Sequence, residues 1–240
     1  MTQTEAASSR RSLLGRLIGR VRHGLFLQEL LDLLAKRRVV LYPYFITVES
    51  HAASLSPAAD PRFSFRELGP EDAPQIVRIT LRPRNVAALC ALMSTARCIG
   101  AFCDGQLAGY SWAEHSCVPV VGTGGQCLFE LEPNEAYLFD MYVAPQYRGS
   151  RLAGLLRREM YQALALSGTS RCYSITLAGN RSSRKFKERL GAQEAELRFY
   201  AQLRLGRLPG IDFRVRRLSE TLRTPAIRRV SPTVAGRAGE

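Results

Sequence analysis

The stretch with the clearest chemical potential runs from Tyr142 to Ala153 and reads YVAPQYRGSRLA. A strand-like run stops at Pro145, a turn is centred on Gly149, and an apolar-periodic segment begins at Leu152. The first N–H groups of a helix have no intrahelical acceptors and sit at the positive end of its dipole, which suits them to phosphate. Gly149 lets the main chain approach a ligand closely, and Arg148 and Arg151 can add charge-assisted contacts. An ordinary strand-to-helix turn with solvated arginines fits the same spacing, so residues alone leave both readings open.

The elements needed to hold this turn can be read outward from it. Ala136–Val143 is a strand of aromatic and branched residues, and Leu152–Leu166 repeats apolar residues at helical spacing. Upstream, Phe63–Leu68 alternates as a strand and Gly69-Pro70-Glu71-Asp72 punctuates before a helix at Ala73–Ile79. A second helix is expected near Arg84–Ser94. Cys98–Phe102 and Gln106–Glu114 form strands joined by the hairpin dipeptide Asp104-Gly105, and Gly122–Gly125 marks a loop. Downstream, Cys172–Ala178 is a strand, Ser182–Leu190 a helix and Glu196–Leu205 a last long strand. Alternating strands and helices around a hairpin predict a mixed α/β domain.

With these elements placed, residues 143–156 resemble the cofactor motif of the GNAT superfamily of N-acetyltransferases, V-x-P-x-Y-R-G-x-G-x-G/A with an apolar pair following. Val143, Pro145, Tyr147, Arg148, Gly149, Ala153 and Leu155-Leu156 fall in place. Arg151 departs from it, where glycine or alanine is usual. A second stretch, Asn180-x-x-Ser183-x-x-Phe186-Lys187-x-x-Leu190-Gly191-Ala192, is similar to the family's N-x-x-A-x-x-L-Y-x-x-x-G-F. There Asn180 is expected to cap the helix. The family's tyrosine, a proton donor to the departing thiolate, aligns with Lys187, whose helix position predicts a solvent-facing side chain.

The resemblance covers about Phe63 to Leu205. It implies a largely antiparallel GNAT-type sheet flanked by helices, with acetyl-CoA or another acyl-CoA as acyl donor. It also implies direct attack by a primary amine of a small molecule or protein. Pantetheine would meet the main chain of Met141 and Val143, and phosphates would meet Gln146, Arg148, Gly149, Ser150, Arg151, Leu152 and Ala153. Asn180 would touch the pantetheine arm. Such attack needs a general base with a pKa near working pH, and Asp140 is the acidic group on that strand. Glu135, Glu114 and His115 are weaker candidates, and Tyr142 and Tyr173 read as core or rim. No metal is expected. The alternative function is a non-catalytic acyl-CoA-binding module recruited by its basic ends.

Those ends hold most of the charge. The 240 residues carry 34 Lys+Arg against 21 Asp+Glu, a formal +13, of which residues 1–40 supply +5 and residues 204–240 supply +6. Residues 12–35 pattern as a basic amphipathic helix weakened by Gly15, Gly19 and Gly24. It could dock on this protein's own core, pair a homodimer, or contact an anionic membrane surface through residues 10–38; all three stay open. The basic segments lack interleaved aromatics, so nucleic acid is not favoured. Val39–Val48 reads as extended and Ser50–Pro61 as a linker, giving an extension at 1–61, an acyltransferase domain at 62–206 and a basic tail at 207–240. Within the tail, Asp212–Leu218 could add one strand and the remainder reads as disordered. Ser9-Arg10-Arg11-Ser12-Leu13-Leu14 resembles a twin-arginine export signal, but Arg16, Arg20 and Arg22 break the apolar run that follows. Six cysteines without C-x-x-C spacing read as reduced and mostly structural, hence a cytoplasmic protein, with peripheral contact at the inner membrane face left open.

Overall fold

The computed structural model describes residues 33–34, 39–49, 60–80, 84–121, 126–203 and 210–219. Nearly all of the 12–35 segment, most of the Ser50–Pro61 linker, the Gly122–Gly125 loop and residues 220–240 lie outside the described residues.

Ten strands and four α-helices are described. The strands are β1 Val39–Glu49, β2 Ser64–Glu67, β3 Arg97–Cys103, β4 Gln106–Glu114, β5 Cys117–Pro119, β6 Cys127–Glu130, β7 Glu135–Val143, β8 Arg171–Leu177, β9 Gln193–Leu203 and β10 Ile211–Arg217. The helices are α1 Ala73–Ile79, α2 Val86–Met93, α3 Leu152–Leu166 and α4 Arg181–Arg189. Eight strands form one sheet in the order β10-β9-β1-β8-β7-β4-β3-β2, and β5 and β6 form a separate ribbon. Every pairing in the large sheet is antiparallel except β7 with β8. This is the mixed, largely antiparallel sheet flanked by helices that the sequence led us to expect.

Local chemistry explains most element ends. Asp104 and Gly105 both take positive φ (49° and 74°), the conformation of a tight hairpin turn. Asn85 caps α2, its side chain accepting from the Ala87 N–H. Two strands come from segments assigned by the sequence to the extension and the tail. β1 lies in the sheet between β8 and β9, and β10 forms its edge. Extended propensity marks a strand, but its neighbours are chosen only by packing. The β5–β6 ribbon was not foreseen, because its strands are three and four residues long.

Three apolar clusters hold these layers. On one face, Leu152, Leu156, Met160 and Leu164 of α3 pack on Ala101, Ala108, Ala136, Leu138 and Cys172. The small strand residues let the helix come close, and burying each large apolar side chain contributes ~1.5–3 kcal/mol. On the opposite face α1 and α2 cover Tyr110 and Trp112 of β4. Beside them, Val118 and Phe129 of the ribbon pack against Tyr137 and Tyr173.

Candidate active site: a notch between two strands and the turn beside it

β7 and β8 pair only through Glu135–Leu138 and Arg171–Ser174. Both run on, to Val143 and Leu177, and from Phe139 onward no strand pairing joins them. Main-chain groups of the second half of β7 on that side are therefore left for another partner, since a buried peptide group without one is costly. A bulge sharpens the divergence. Between the pairs Tyr110↔Tyr142 and Trp112↔Phe139 two residues of β7 face one of β4, and Asp140 there has φ 45°. Gly109 stands at the same place because a Cβ would come within 2.6 Å of the Tyr142 carbonyl.

The turn after β7 opens directly onto α3. Pro145–Tyr147 makes a short helical turn, Gly149 follows at φ 85°, and Arg151 caps α3 at φ 66°. The left-handed cap gives a backbone reason for the usual glycine at this position, because a side chain there costs about 1 kcal/mol. A Cβ at Gly149 would meet nothing within 4 Å, so the space over the turn is open.

That space belongs to a cavity of about 610 Å³. Of the residues singled out from sequence, Val143, Arg148, Gly149, Arg151, Leu152 and Ala153 line it. Phe186 of α4 and Leu190 just past its end, both in the second motif-like stretch, join them, together with Arg158 of α3 and Arg189 of α4, which were not anticipated. Their signal was present but ambiguous, since an arginine on a helix usually faces water. Four arginines and no carboxylate among the lining residues make the cavity strongly cationic. The other candidates shape it from outside. Ser150 Oγ donates to the Tyr147 carbonyl at 2.6 Å, and Asn180 Oδ1 accepts from the Ser183 N–H at 3.1 Å as the expected cap. Met141 packs against the α3 cluster, and Gln146 is exposed.

The proton-transfer candidates separate clearly. Asp140 is ion-paired with Arg84, whose guanidinium also lies over the Tyr110 ring. Glu135 accepts from Tyr173 Oη at 2.8 Å and pairs with Arg171 at 3.3 Å, while His115 Nδ1 is 2.9 Å from the Glu135 carbonyl. Both are tied to the paired end of β7. Glu114 lies at the end of β4 opposite Tyr137, two positions from the parting. Burial raises its pKa against an opposing hydrogen bond from Ser116.

Lys187 corrects the sequence reading. It is buried, at 5% exposure, and does not face solvent. Its Nζ donates to Thr176 Oγ1 and to the Ile175 carbonyl, the two residues of β8 just past the last pair with β7. Burial pulls its pKa down to about 8, partly countered by Glu49. Nearby, the buried Glu49 carboxylate accepts from Tyr161 Oη and Ser174 Oγ, with Arg157 Nε at 3.8 Å. Burial works to raise the Glu49 pKa, but Arg157, Lys187 and the two hydroxyls outweigh it and hold the carboxyl low. A charged residue aimed inward from an otherwise polar helix gives no periodicity signal, because its partners come from β1, β8 and α3.

A parting in the sheet beside an arginine-lined helix start is the feature that sets this α/β protein's site apart. Residues 65–192 match the Acetyltransferase (GNAT) family, and the chain belongs to it. No curated protein sequence matches the chain. Among solved structures it is similar to a Drosophila protein at 19% identity and TM-score 0.51, over 74% of this chain and 57% of that one. It is similar to a GCN5-related N-acetyltransferase from Kribbella flavida at 11% identity and TM-score 0.51, over 73% and 63% respectively. A tandem GNAT protein from the clavulanic acid biosynthesis pathway aligns at 17% identity and TM-score 0.50, over 67% and 53%. The chain spans less than two thirds of each of these structures, and the likeness is one of fold.

Proposed function

We propose that the protein transfers an acetyl or longer acyl group from CoA to a primary amine. The observation that carries this reading is the arginine-lined cavity at the α3 N-terminus, which shares Val143 with the strand that parts from β8. The donor fits on structural grounds: the turn is open above Gly149, the lining is cationic, and one edge of β7 lacks a strand partner beyond Leu138.

Acyl-CoA, when bound, supplies an activated thioester. The N–H groups of Gly149–Ala153 hold its phosphates, supported by Arg148, Arg151, Arg158 and Arg189. The main chain of Met141 and Val143 holds the extended arm. Gln146 stands at the turn, while Ser150 and Asn180 fix the turn and the start of α4. Lys187 Nζ, protonated at neutral pH and buried beside the parting, would supply a proton to a departing thiolate and regain one from solvent. Glu114 takes the proton from the attacking amine, because burial moves its pKa toward neutrality. Asp140, held by Arg84, is the second candidate for that role.

Calorimetric titration with acetyl-CoA, followed by a free-thiol release screen across primary amines, tests the reading. Saturable binding and amine-dependent thiol release are expected. Binding without release on any amine would make the protein a non-catalytic acyl-CoA-binding module, and no binding would remove the donor from this cavity. On an active amine, Glu114→Gln is expected to lower turnover by ~10²–10⁴-fold and to remove the rising limb of the pH–rate profile. A larger loss in Asp140→Asn would return the base to Asp140.

A further inference from the structure

α4 is a wall between two cavities. Phe186, Arg189 and Leu190 face the cavity assigned to the acyl donor. Arg181, Arg184, Lys185 and Glu188, spaced to share a helix face, line a second cavity of about 590 Å³. It is bounded further by Thr47 of β1, by Lys187, and by Glu194 of β9. No residue lines both cavities.

The charges in this second cavity do not cancel. Arg184 holds Glu194 through two bonds of 2.5 and 2.9 Å and stacks over Phe45 at 4.2 Å, so that pair is satisfied within the protein. Of the other lining charges, Arg181, Lys185 and Lys187 stand with Glu188, and Lys187 is also faced by Glu49 from behind the cavity. Lys187 is buried, and its three ammonium donors find two acceptors among the described residues. Behind it lies Arg157, 3% exposed, whose Nε and Nη1 have no hydrogen-bond partner among the described residues. Among the described residues the buried carboxylate facing both cations is Glu49, and Glu194, already held by Arg184, also acts on Lys187. Arg181 and Lys185 are exposed, whereas Lys187 and Arg157 are buried, and a buried cation draws an anion more strongly than a solvated one because the local dielectric is low.

We propose that this second cavity binds a small phosphate-bearing anion separate from the acyl donor, held by Arg181, Lys185 and the Thr47 hydroxyl in the field of the buried Lys187. Its size lies within the range of small-molecule pockets. Its cations suit a compact anion, for which lysine acts as a point charge and arginine as a fork.

Inorganic pyrophosphate is the probe, titrated by calorimetry into the full chain already saturated with CoA, so that the donor cavity is closed to it. Saturable binding is expected in the wild type. In the Arg181→Glu, Lys185→Glu double variant it is expected to weaken about tenfold or more, with CoA affinity unchanged as proof of an intact fold. Absence of pyrophosphate binding to the CoA-saturated wild type overturns the proposal. Undiminished binding in the double variant also overturns it, because the arginine-rich ends, unaltered there, would then be the site. If CoA itself does not bind, the donor assignment falls, and the same two titrations without CoA still decide this one.

Discussion

From β2 to β7 the faces of the sheet are filled by apolar side chains, whereas from β8 to β10 the same layers bury charge. The first half rests on Ala101, Ala108, Leu138, Tyr110 and Trp112 beneath α3, α1 and α2. The second buries Glu49, Arg157, Lys187, Glu196 and Arg198. There Arg198 holds Asp212 and Glu196, Arg214 reaches Glu196, and Tyr44 Oη donates to Asp212. Apolar packing is forgiving of shape but offers no titratable group. Buried ionic networks are intolerant of a missing partner, yet they place proton donors beside the parting of β7 and β8. The notch lies where the two kinds of interior meet, and five substitutions test that contrast.

The largest effect is expected on the turn belonging to neither interior. Gly149→Asp puts a carboxylate where phosphate should lie, and CoA affinity should fall about a hundredfold or more in a calorimetric titration. The positive φ of 85° costs an aspartate about 1–2 kcal/mol, but a Cβ there meets nothing, so the circular dichroism of the folded protein should be retained. Affinity equal to wild type would remove the donor from the cavity.

Glu49→Gln breaks the ionic half by leaving Arg157 and Lys187 without their carboxylate. Urea unfolding should show a loss of about 3–5 kcal/mol. Leu156→Met, a volume-conserving change in the apolar half, should cost under about 1.5 kcal/mol. Equal costs would erase the contrast between the halves.

Lys187 sharpens the comparison through pH. Its pKa is about 8 in the folded protein against the ordinary 10.5, so between those values the unfolded chain binds more protons. The burden of the buried charge is complete below pH 8 and is relieved as pH rises toward 10.5. Wild-type stability should therefore gain on that of Lys187→Met by on the order of 1–3 kcal/mol as pH rises from 7.5 to 9.5. The same variant should lower turnover at the thioester more than it lowers CoA affinity. Parallel stability curves for the two proteins would mean that Lys187 is not buried as a cation.

The smallest effect is expected at Arg151. Arg151→Gly relieves the left-handed cap and should raise stability by about 1 kcal/mol or less, the gain in backbone ease being partly offset by the entropy of glycine. CoA affinity should not rise, since a cavity-lining guanidinium is lost. A clear gain in affinity would show that the side chain obstructs the phosphates.

What the sequence by itself determined was local or periodic. The strand before Pro145, the positive-φ turn at Asp104-Gly105, the span of α3, the phosphate-suited turn at Arg148–Ala153 and the cap at Asn180 each follow from residues within a few positions of one another. Their physics acts over one turn of chain, so a linear reading captures it. The tertiary structure alone decided which strands became neighbours, and so placed β1 between β8 and β9. That placement brings Glu49 under α3 and turns Lys187 from an expected surface residue into a buried cation. It alone also fixed where β7 leaves β8, because a strand's pairing ends where its partner diverges and not where its own residues change. Buried charge is tolerated only when partners arrive from elsewhere in the chain, and no spacing within one segment records their arrival.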